Sequence, residues 1–597
     1  MEQQTPGVYI NEINAFPNSV VEVATAVPVF IGYTAQASYN GEDLANKPQR
    51  VTSLKEFVTY YGRGATTTFD LTAAPTGTDL STIGGDLHLS VQPLLMQISN
   101  VDNYSPDTVT LTKYALAPTT APYYLYNSVR LFYQNGGATC YIISIGEYEE
   151  AVPNGEENTE GTSVDKPEDV ADAAGGKAKK VVADDANKEE AAPKSEKDKF
   201  IEAIDSLIYE QEPTMLVCTD ALRLTNDEYY AVAQAMLGHC NATQSRVALL
   251  DVYDGAVTNP LVLNQAVNPV TRFRDGVSTN YLKYGVGYFP WVQTTVVGNI
   301  ETSFLNLSEG LFKKIQDATT AAVAAADKAV TDAADKPAEK AVAVERQRFI
   351  KDYAGVVTRV ADLYKTAPAD RDNGFVLDVI REHNALLASN RDYSRLIDNI
   401  TRYQNTLPVA AAMAGVYTAV DTNRGVWKAP ANVGLNGVVA PTVNLSDNDQ
   451  ARLNVDAATG KSLNAIRPFP GQGTLVWGAR TLDGNSQDWR YINVRRTMIM
   501  LEQSIKLAAR AYVFEPNDAN TWVTVQSMIN NFLFNLWKQG ALAGSKPDDA
   551  YSVAVGLGST MTADDILNGY MNVFVKVAIS RPAEFIVLSF QQQMQKS

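Results

Sequence analysis

Two short apolar runs with a helical segment between them constrain the fold of this chain more than any other feature. The runs are Met215 to Asp220 (MLVCTD) and Arg246 to Val252 (RVALLDV), and the residues around Glu228 to Leu237 have helical spacing. Apolar runs of this length that alternate with helices are typical of buried parallel strands. The predicted fold class is therefore α/β (α+β mixed), with the α/β pattern clearest over residues 200–300.

The length of the chain, 597 residues, exceeds what one hydrophobic core usually reaches, so several domains are expected. Shifts in composition mark the predicted boundaries. The predicted units are an N-terminal arm (1–19), a core domain (20–62 with 401–597) that ends in a C-terminal arm (581–597), an inserted β-rich subdomain (63–120) and an α/β middle domain (121–400).

Two stretches of the middle domain differ in composition from their surroundings. Residues 147–199 contain 16 acidic and 8 basic side chains and one aromatic, so they bury too little apolar surface to offset the entropy lost on ordering. Residues 305–400 have helical spacing and include an alanine-rich stretch. We predict a flexible exterior insertion at the first and a projecting helical insertion at the second.

The overall composition excludes several classes of protein. A net charge of −17 repels phosphates and argues against a general nucleic-acid surface. The three cysteines lack Cys-x-x-Cys spacing, which excludes a disulfide framework and a zinc cluster of that type. The start of the chain lacks a signal sequence, and no apolar run approaches the ~18 residues of a membrane span. We expect synthesis in the cytoplasm, no nucleic-acid partner and no direct membrane insertion.

A catalytic interpretation would begin with His239, Cys240 and Asp251, because an imidazole, a thiol and a carboxylate can form a nucleophilic site. Side chains adjacent in sequence usually point apart, and no family-type signature surrounds these residues. The glycine pairs at 285/287 and 556/558 lack the third glycine and helix start that phosphate binding needs. The sequence therefore predicts no catalytic, cofactor-binding or metal-binding residues, no cofactor and no enzymatic activity.

Residues 491–513 are predicted to form a helix with two different faces. At about 100° per residue, one stripe is apolar; it consists of Met498, Leu501, Ile505, Ala508 and Tyr512. The opposite side gathers four cations, Arg495, Arg496, Lys506 and Arg510. Two interpretations remain open: a solvated face of an amphipathic helix, or an electrostatic contact with an acidic partner.

Both ends of the chain have the pattern of β-strands. Residues 573–579 alternate as a strand, Arg581-Pro582 breaks it, and a second apolar strand (FIVLSF) follows at 585–590. Near the N-terminus, residues 5–13 (TPGVYINEI) are predicted to form a short extended segment. An unpaired apolar strand is an aggregation hazard, so each terminal strand must pair with a sheet edge in its own chain or in a neighbour.

Eight segments of the chain resemble the contractile tail sheath family of phages, pyocin-like particles and extracellular injection systems. They occur in the same order and cover both ends and most of the carboxy-terminal third. The segments are TPGVYINEI (5–13), TAVPVFIG (25–32), LFYQNGGATCYII (131–143), YGVGYFPW (284–291), AGVYTAVDTNRGVWKAPAN (414–432), FPGQGTLVWGARTL (469–482), VFEPND (513–518) and RPAEFIVLSF (581–590).

The resemblance implies a structural subunit of a sheath that polymerises as stacked hexameric rings around an inner tube and contracts to drive the tube through a target envelope. The implied partners are other copies of this chain, the tube protein, and baseplate and terminator or cap proteins, in a phage tail or a tail-like particle that is extracellular after lysis. Terminal arms would add strands to neighbouring subunits. The arm residues are Val8, Tyr9, Ile10, Ile13, Phe585, Ile586, Val587, Leu588 and Phe590.

The resemblance also implies that the four cations of the 491–513 helix face an acidic tube. Two alternatives remain: a soluble enzyme that uses the α/β middle domain, and a non-contractile filament or shell protein.

Overall fold

A computed structural model of the chain describes residues 20–73, 94–99, 111–148, 194–256, 268–366, 371 and 373–588. The N-terminal arm strand with Val8 to Ile13, the charged stretch at 149–193, and Phe590 lie outside these residues. The predictions made for them are therefore not tested by the structure.

The strands, numbered in chain order, are β1 Pro28–Thr34, β2 Ser38–Tyr39, β3 Glu42–Asp43, β4 Gln49–Val51, β5 Phe69–Ala73, β6 Leu94–Ser99, β7 Leu111–Pro118, β8 Cys140–Glu147, β9 Met215–Val217, β10 Val247–Asp251, β11 Gly285–Phe289, β12 Val292–Thr294, β13 Thr406–Leu407, β14 Val433–Gly434, β15 Val438–Pro441, β16 Asn464–Phe469, β17 Gly473–Trp477, β18 Tyr551–Val555 and β19 Val573–Val577.

The α-helices are α1 Leu54–Tyr61, α2 Leu125–Gln134, α3 Glu196–Ser206, α4 Asn226–Thr243, α5 Pro269–Gly276, α6 Glu309–Asp332, α7 Pro337–Tyr364, α8 Asn373–Ser389, α9 Arg391–Gln404, α10 Ala410–Arg424, α11 Asp447–Asn454, α12 Ile492–Ala509, α13 Ala519–Lys538, α14 Pro547–Ala550 and α15 Ala563–Leu567.

A nine-stranded sheet in the order β14-β17-β16-β11-β10-β9-β1-β8-β4 forms the centre of the main body. Its middle six strands, from β16 to β8, pair in parallel. Every residue of β9, β10 and β11 is buried, as expected of parallel strands with both faces covered. The predicted parallel strands and the helix between them, α4, are confirmed.

The carboxyl edge of these parallel strands carries the inserted segments. The β-rich insertion is a three-stranded antiparallel sheet, β5-β7-β6, and residues 309–404 form the four helices α6 to α9. The two insertions meet where the Ser308 N–H donates to the carbonyl of Phe69 at 2.8 Å. The charged stretch also departs from this edge, because the Tyr148 N–H bonds to the carbonyl of Thr34, the last residue of β1, at 3.0 Å.

A second hydrophobic core lies at the C-terminal end of the chain. Helices α12 and α13 pack with the two-stranded hairpin β18-β19, and buried side chains such as Met528, Leu533 and Leu536 fill the space between them. Val575 of β19 faces this core while Phe574 is exposed, so the predicted alternation of this strand is confirmed. We call this unit, with its core, the C-terminal domain.

The large sheet does not follow the predicted division into core and middle domains. Strand β1, assigned to the core domain, lies between β8 and β9 of the middle domain, and β16 pairs with β11. The segment 20–32 contributes one strand to this sheet, β1. Local patterns cannot specify these pairings, because the strands are joined across more than a hundred residues of sequence.

Candidate functional site

Helix α12 lies between the two cores and is therefore buried on more than one side. Its apolar stripe packs on the C-terminal domain, where Leu501 is buried and Met498 and Ile505 are partly buried. The helix ends in a 3₁₀ turn at Arg510–Tyr512. This agrees with the predicted helix over 491–513 and with its apolar face.

Arg496 joins α12 to the main body through a buried ion pair. Its Nη1 and Nη2 lie 2.9 and 2.6 Å from the carboxylate oxygens of Asp421 on α10, and the two side chains are only 4% and 6% exposed. Nη2 also donates to the carbonyl of Thr25, and the hydroxyl of Thr25 donates to Asp421 at 2.6 Å. The guanidinium stacks over the ring of Tyr417 at 4.5 Å.

Arg495 is buried on the other flank of the same helix. Its guanidinium lies over the rings of Trp489 and Tyr284, at 4.3 and 5.2 Å, and pairs with Glu502 at 2.9 Å. Arg495 and Arg496 therefore do not lie on an exposed basic face, and the prediction that all four cations share one is wrong in this respect. Helix α12 packs against two cores, so the face opposite its apolar stripe is buried too. The charged side chains on that face therefore need polar or aromatic partners within the protein.

Lys506 and Arg510 are exposed, and no ion pair involves either side chain within the part of the chain that the structure describes. They border a groove of about 800 Å³ between α12, the N-terminal segment 21–25 and the base of the main body. Glu210 and Glu212 also line this groove. Of the four predicted contact residues, these two remain available to a partner.

The chain enters the main body beside α12. The Val23 N–H donates to the hydroxyl of Ser504 at 3.1 Å, and Gln503 donates to the carbonyl of Gln244 at 3.3 Å. Together with the bonds around Thr25, these contacts attach α12 to the amino ends of the parallel strands. The C-terminal domain and the insertions thus lie at opposite edges of the sheet.

The C-terminal segment forms an ion pair with the main body immediately before its exposed residues begin. The guanidinium of Arg480 donates two parallel hydrogen bonds to the carboxylate of Glu584, from Nε to Oε1 at 3.0 Å and from Nη2 to Oε2 at 2.5 Å. This hydrogen bonding raises the pKa of Arg480 above its ordinary value. Sequence reasoning missed both residues, since the pair joins positions 104 apart.

Beyond Glu584 four consecutive large apolar side chains are exposed. The exposed fractions of Phe585, Ile586, Val587 and Leu588 are 75, 79, 86 and 72%. These residues form no strand in the single chain, in contrast to the predicted strand at 585–590. In the C-terminal domain, β18 and β19 pair only with each other among the described strands, so each of them has an open edge.

The three residues of the catalytic interpretation have separate structural contacts. His239 lies 2.7 Å from Nη1 of Arg246, and burial lowers its pKa to about 4. Burial raises the pKa of the Cys240 thiol to about 12. Asp251 accepts the Val409 and Ala410 N–H groups at 2.8 and 2.9 Å at the start of α10, and burial raises its pKa to about 7.

Comparisons with known proteins place these features in a family. A model of the phage tail sheath C-terminal domain matches residues 485–593, which contain the C-terminal domain and the exposed segment. A tail sheath protein of Vibrio phage KVP40 is 25% identical over 245 residues, 40% of this chain and 35% of that protein. A tail sheath protein of Burkholderia phage BcepMu is 27% identical over 157 residues, 26% of this chain and 32% of that protein. The matches thus span about a third of these curated relatives.

A similar solved structure agrees with them over the full length of the chain. One chain of the cryo-EM structure of the anti-feeding prophage baseplate, 6-fold symmetrised, is 25% identical, with a TM-score of 0.51 and coverage of 99% of this chain and 100% of that chain. In the parts of the chain that the structure describes, no helix has the length and apolar character to cross a membrane. These matches agree with the eight sequence segments in the family order, and together they support the contractile tail sheath family for this chain.

Proposed function

We propose that this chain is the structural subunit of a contractile sheath, which polymerises around an inner tube and contracts to drive the tube through a target envelope. The observation that carries the proposal is the run Phe585 to Leu588, apolar and exposed, in a chain whose β18-β19 sheet also has open edges. An isolated subunit with such a run is incomplete, because exposed apolar strands and open edges favour pairing between chains.

The arms are proposed to act as tethers. Phe585 to Phe590 would add a strand to a sheet of a neighbouring subunit, and Val8 to Ile13 would do the same from the N-terminus. In a two-stranded hairpin such as β18-β19 an added strand gains backbone hydrogen bonds along its length. Backbone bonds of this kind can persist while the globular bodies slide past one another.

Different features lie at the two edges of the main sheet, and this difference supports a subunit with one end toward the tube and the other toward the outer surface. The amino edge carries α12 with its exposed Lys506 and Arg510, and the carboxyl edge carries the three insertions. We propose that the amino edge faces the tube and that the insertions lie on the outer surface. Replacing both cations with glutamate should weaken tube-templated assembly more at low salt than at high salt, because salt screens exposed charges.

The assembly is proposed to consist of stacked hexameric rings with a tube, a baseplate and a terminator or cap protein as partners. It would be made in the cytoplasm and form part of a phage tail or tail-like particle. A structural rather than enzymatic role is supported by the buried thiol of Cys240 and by the helix-capping role of Asp251. Neither group is arranged as a nucleophile with a base.

The test uses Val587→Pro, with Val587→Ala as the matched control. Proline removes the backbone N–H and one ladder bond, while alanine keeps it. We expect the proline variant to be soluble and folded, by circular dichroism, but unable to form sheaths with the tube protein by electron microscopy. Normal sheaths from this variant, and from the corresponding Ile10→Pro variant, would exclude the tether mechanism. Fibres without a short, wide form would favour the filament alternative.

A further inference from the structure

We propose that Arg480 and Glu584 form a clamp that fixes where the C-terminal arm leaves the main body, so that the movable arm begins at Phe585. The sequence places the break earlier, at Arg581-Pro582. The clamp itself is a property of the single chain. Only its consequence for assembly rests on the proposed sheath function.

Two sets of contacts hold the segment that precedes the arm: hydrogen bonds up to Ser580, and then the side chain of Glu584. After β19, the Ala578 N–H bonds to Ala550 and the Ser580 N–H bonds to Ala541, both within the C-terminal domain. Asn493 then donates to the carbonyl of Ser580 at 2.9 Å. Among the described residues, no further backbone hydrogen bond holds the chain beyond Ser580, and the Glu584 carboxylate is the next point of attachment.

The partner of Glu584 belongs to the main body rather than to the C-terminal domain. Arg480 follows β17, and its backbone N–H and carbonyl are both bonded to the side chain of Asn464, at 2.8 Å each. Asn464 lies in β16 and also donates to the carbonyl of Gly287 in β11. The guanidinium is therefore positioned by the large sheet, and the arm crosses from one core to the other before it leaves.

The geometry suits a positioning role. A bidentate guanidinium–carboxylate pair restrains both distance and direction, which a single point contact does not. The two side chains are 7% and 16% exposed, so water competes little with the pair. The hydroxyl of Tyr491 lies 3.5 Å from the same carboxylate. Because the next four residues are exposed, the direction set at Glu584 is the direction in which the arm departs.

The experiment measures the arm in the full-length single chain. Nitroxide labels at Ala583→Cys, just before the clamp, and Asn423→Cys would report the distance from the clamped segment to helix α10 by pulsed EPR; the native cysteines are buried and inaccessible to the label. We expect one narrow distance distribution in the otherwise unchanged chain. Glu584→Gln should lose it and give a broad distribution. Asp456→Asn, which breaks the Arg274 pair within the main body, is the control and should keep the narrow distribution.

Loss of the carboxylate also leaves a buried guanidinium without its ion pair, which can lower stability for reasons unrelated to the arm. The double variant Arg480→Met with Glu584→Gln removes that charge. We expect it to recover thermal stability while the distance distribution stays broad. A narrow distribution in either Glu584→Gln variant would overturn the clamp.

Sheath assembly is measured in a separate experiment. Clamp variants with a folded body should form fewer or shorter sheaths with the tube protein than the Asp456→Asn control. Normal sheaths from variants with a freed arm would overturn the consequence for assembly. If the unchanged protein forms no tubular assembly, the proposed function fails, and the EPR result still decides the clamp.

Discussion

Removing one partner of the ion pair between Arg496 and Asp421 should strongly destabilise this chain, because it leaves a buried charge without its counterion. The Asp421 carboxylate accepts two bonds from the guanidinium and one from the Thr25 hydroxyl. Replacing it with asparagine, Asp421→Asn, removes the counterion and leaves a buried cation with the Thr25 carbonyl, one amide oxygen and the ring of Tyr417. Breaking a buried pair by removing one partner typically costs about 3–5 kcal/mol.

Not all of this cost should be observed. The Tyr417 ring remains, and a desolvated cation–π contact contributes about 2 kcal/mol. The amide of asparagine also keeps one acceptor. We therefore expect Asp421→Asn to lower the free energy of unfolding by about 3 kcal/mol. The double variant Arg496→Met with Asp421→Asn should recover part of this loss, because no buried charge then lacks a counterion.

The assay is urea unfolding followed by the fluorescence of the six tryptophans, one of which, Trp427, packs against the core of the C-terminal domain. Glu301→Gln is the matched control, since Arg130 and Glu301 form an equally bidentate pair with a 43% exposed carboxylate. An exposed pair contributes about 0–1 kcal/mol. If Asp421→Asn lowers the free energy of unfolding no more than Glu301→Gln does, then burial of the pair does not increase the cost of breaking it, and the reasoning fails.

Three further substitutions test other parts of the structure. Gly32→Ala places a Cβ 2.4 Å from Oδ2 of the buried Asp220, and calorimetry should show a loss of at least about 2 kcal/mol. Phe514 is fully exposed with a φ of 73°, so Phe514→Gly should raise the urea midpoint by relieving a left-handed backbone that costs a non-glycine residue about 1–2 kcal/mol. Burial lowers the pKa of His239 to about 4, so the folded state binds fewer protons than the unfolded state and stability falls as pH drops from 6.5 to 4. His239→Gln should reduce this fall by up to about 3 kcal/mol in unfolding curves recorded at pH 7 and pH 4.5.

Local periodicity was sufficient to predict the elements that lie within one core. The apolar runs at β9 and β10 and the alternation of β19 each follow from contacts on one or two faces of a single strand. Helix α1 ends at Gly62, whose φ of 75° is a conformation that glycine adopts readily. In each case the determining interactions are close in sequence.

The polar pairs that join the two cores could not be predicted in this way. Thr25 and Asp421 are 396 residues apart, and nothing in the neighbourhood of either indicates the other. The same applies to Arg495 and Arg496, whose charge suggested solvent although both are buried. The available signal was weak: Tyr284 and Asp421 lie within two of the segments shared with the sheath family, which mark positions but not partners.

The acidic stretch 147–199 and the exposed cations Lys506 and Arg510 are attached to opposite edges of the main sheet. The stretch 147–199, with 16 acidic and 8 basic residues, accounts for 8 of the 17 net negative charges and is joined to the carboxyl edge at Tyr148. The exposed cations Lys506 and Arg510 lie toward the amino edge. In a radial assembly with the amino edge inward, like charges would be farthest apart at the outer surface, where their mutual repulsion is weakest and best screened by salt. The opposite orientation would crowd the acidic stretches around the axis, so electrostatics alone favours one of the two directions in which this subunit can face a tube.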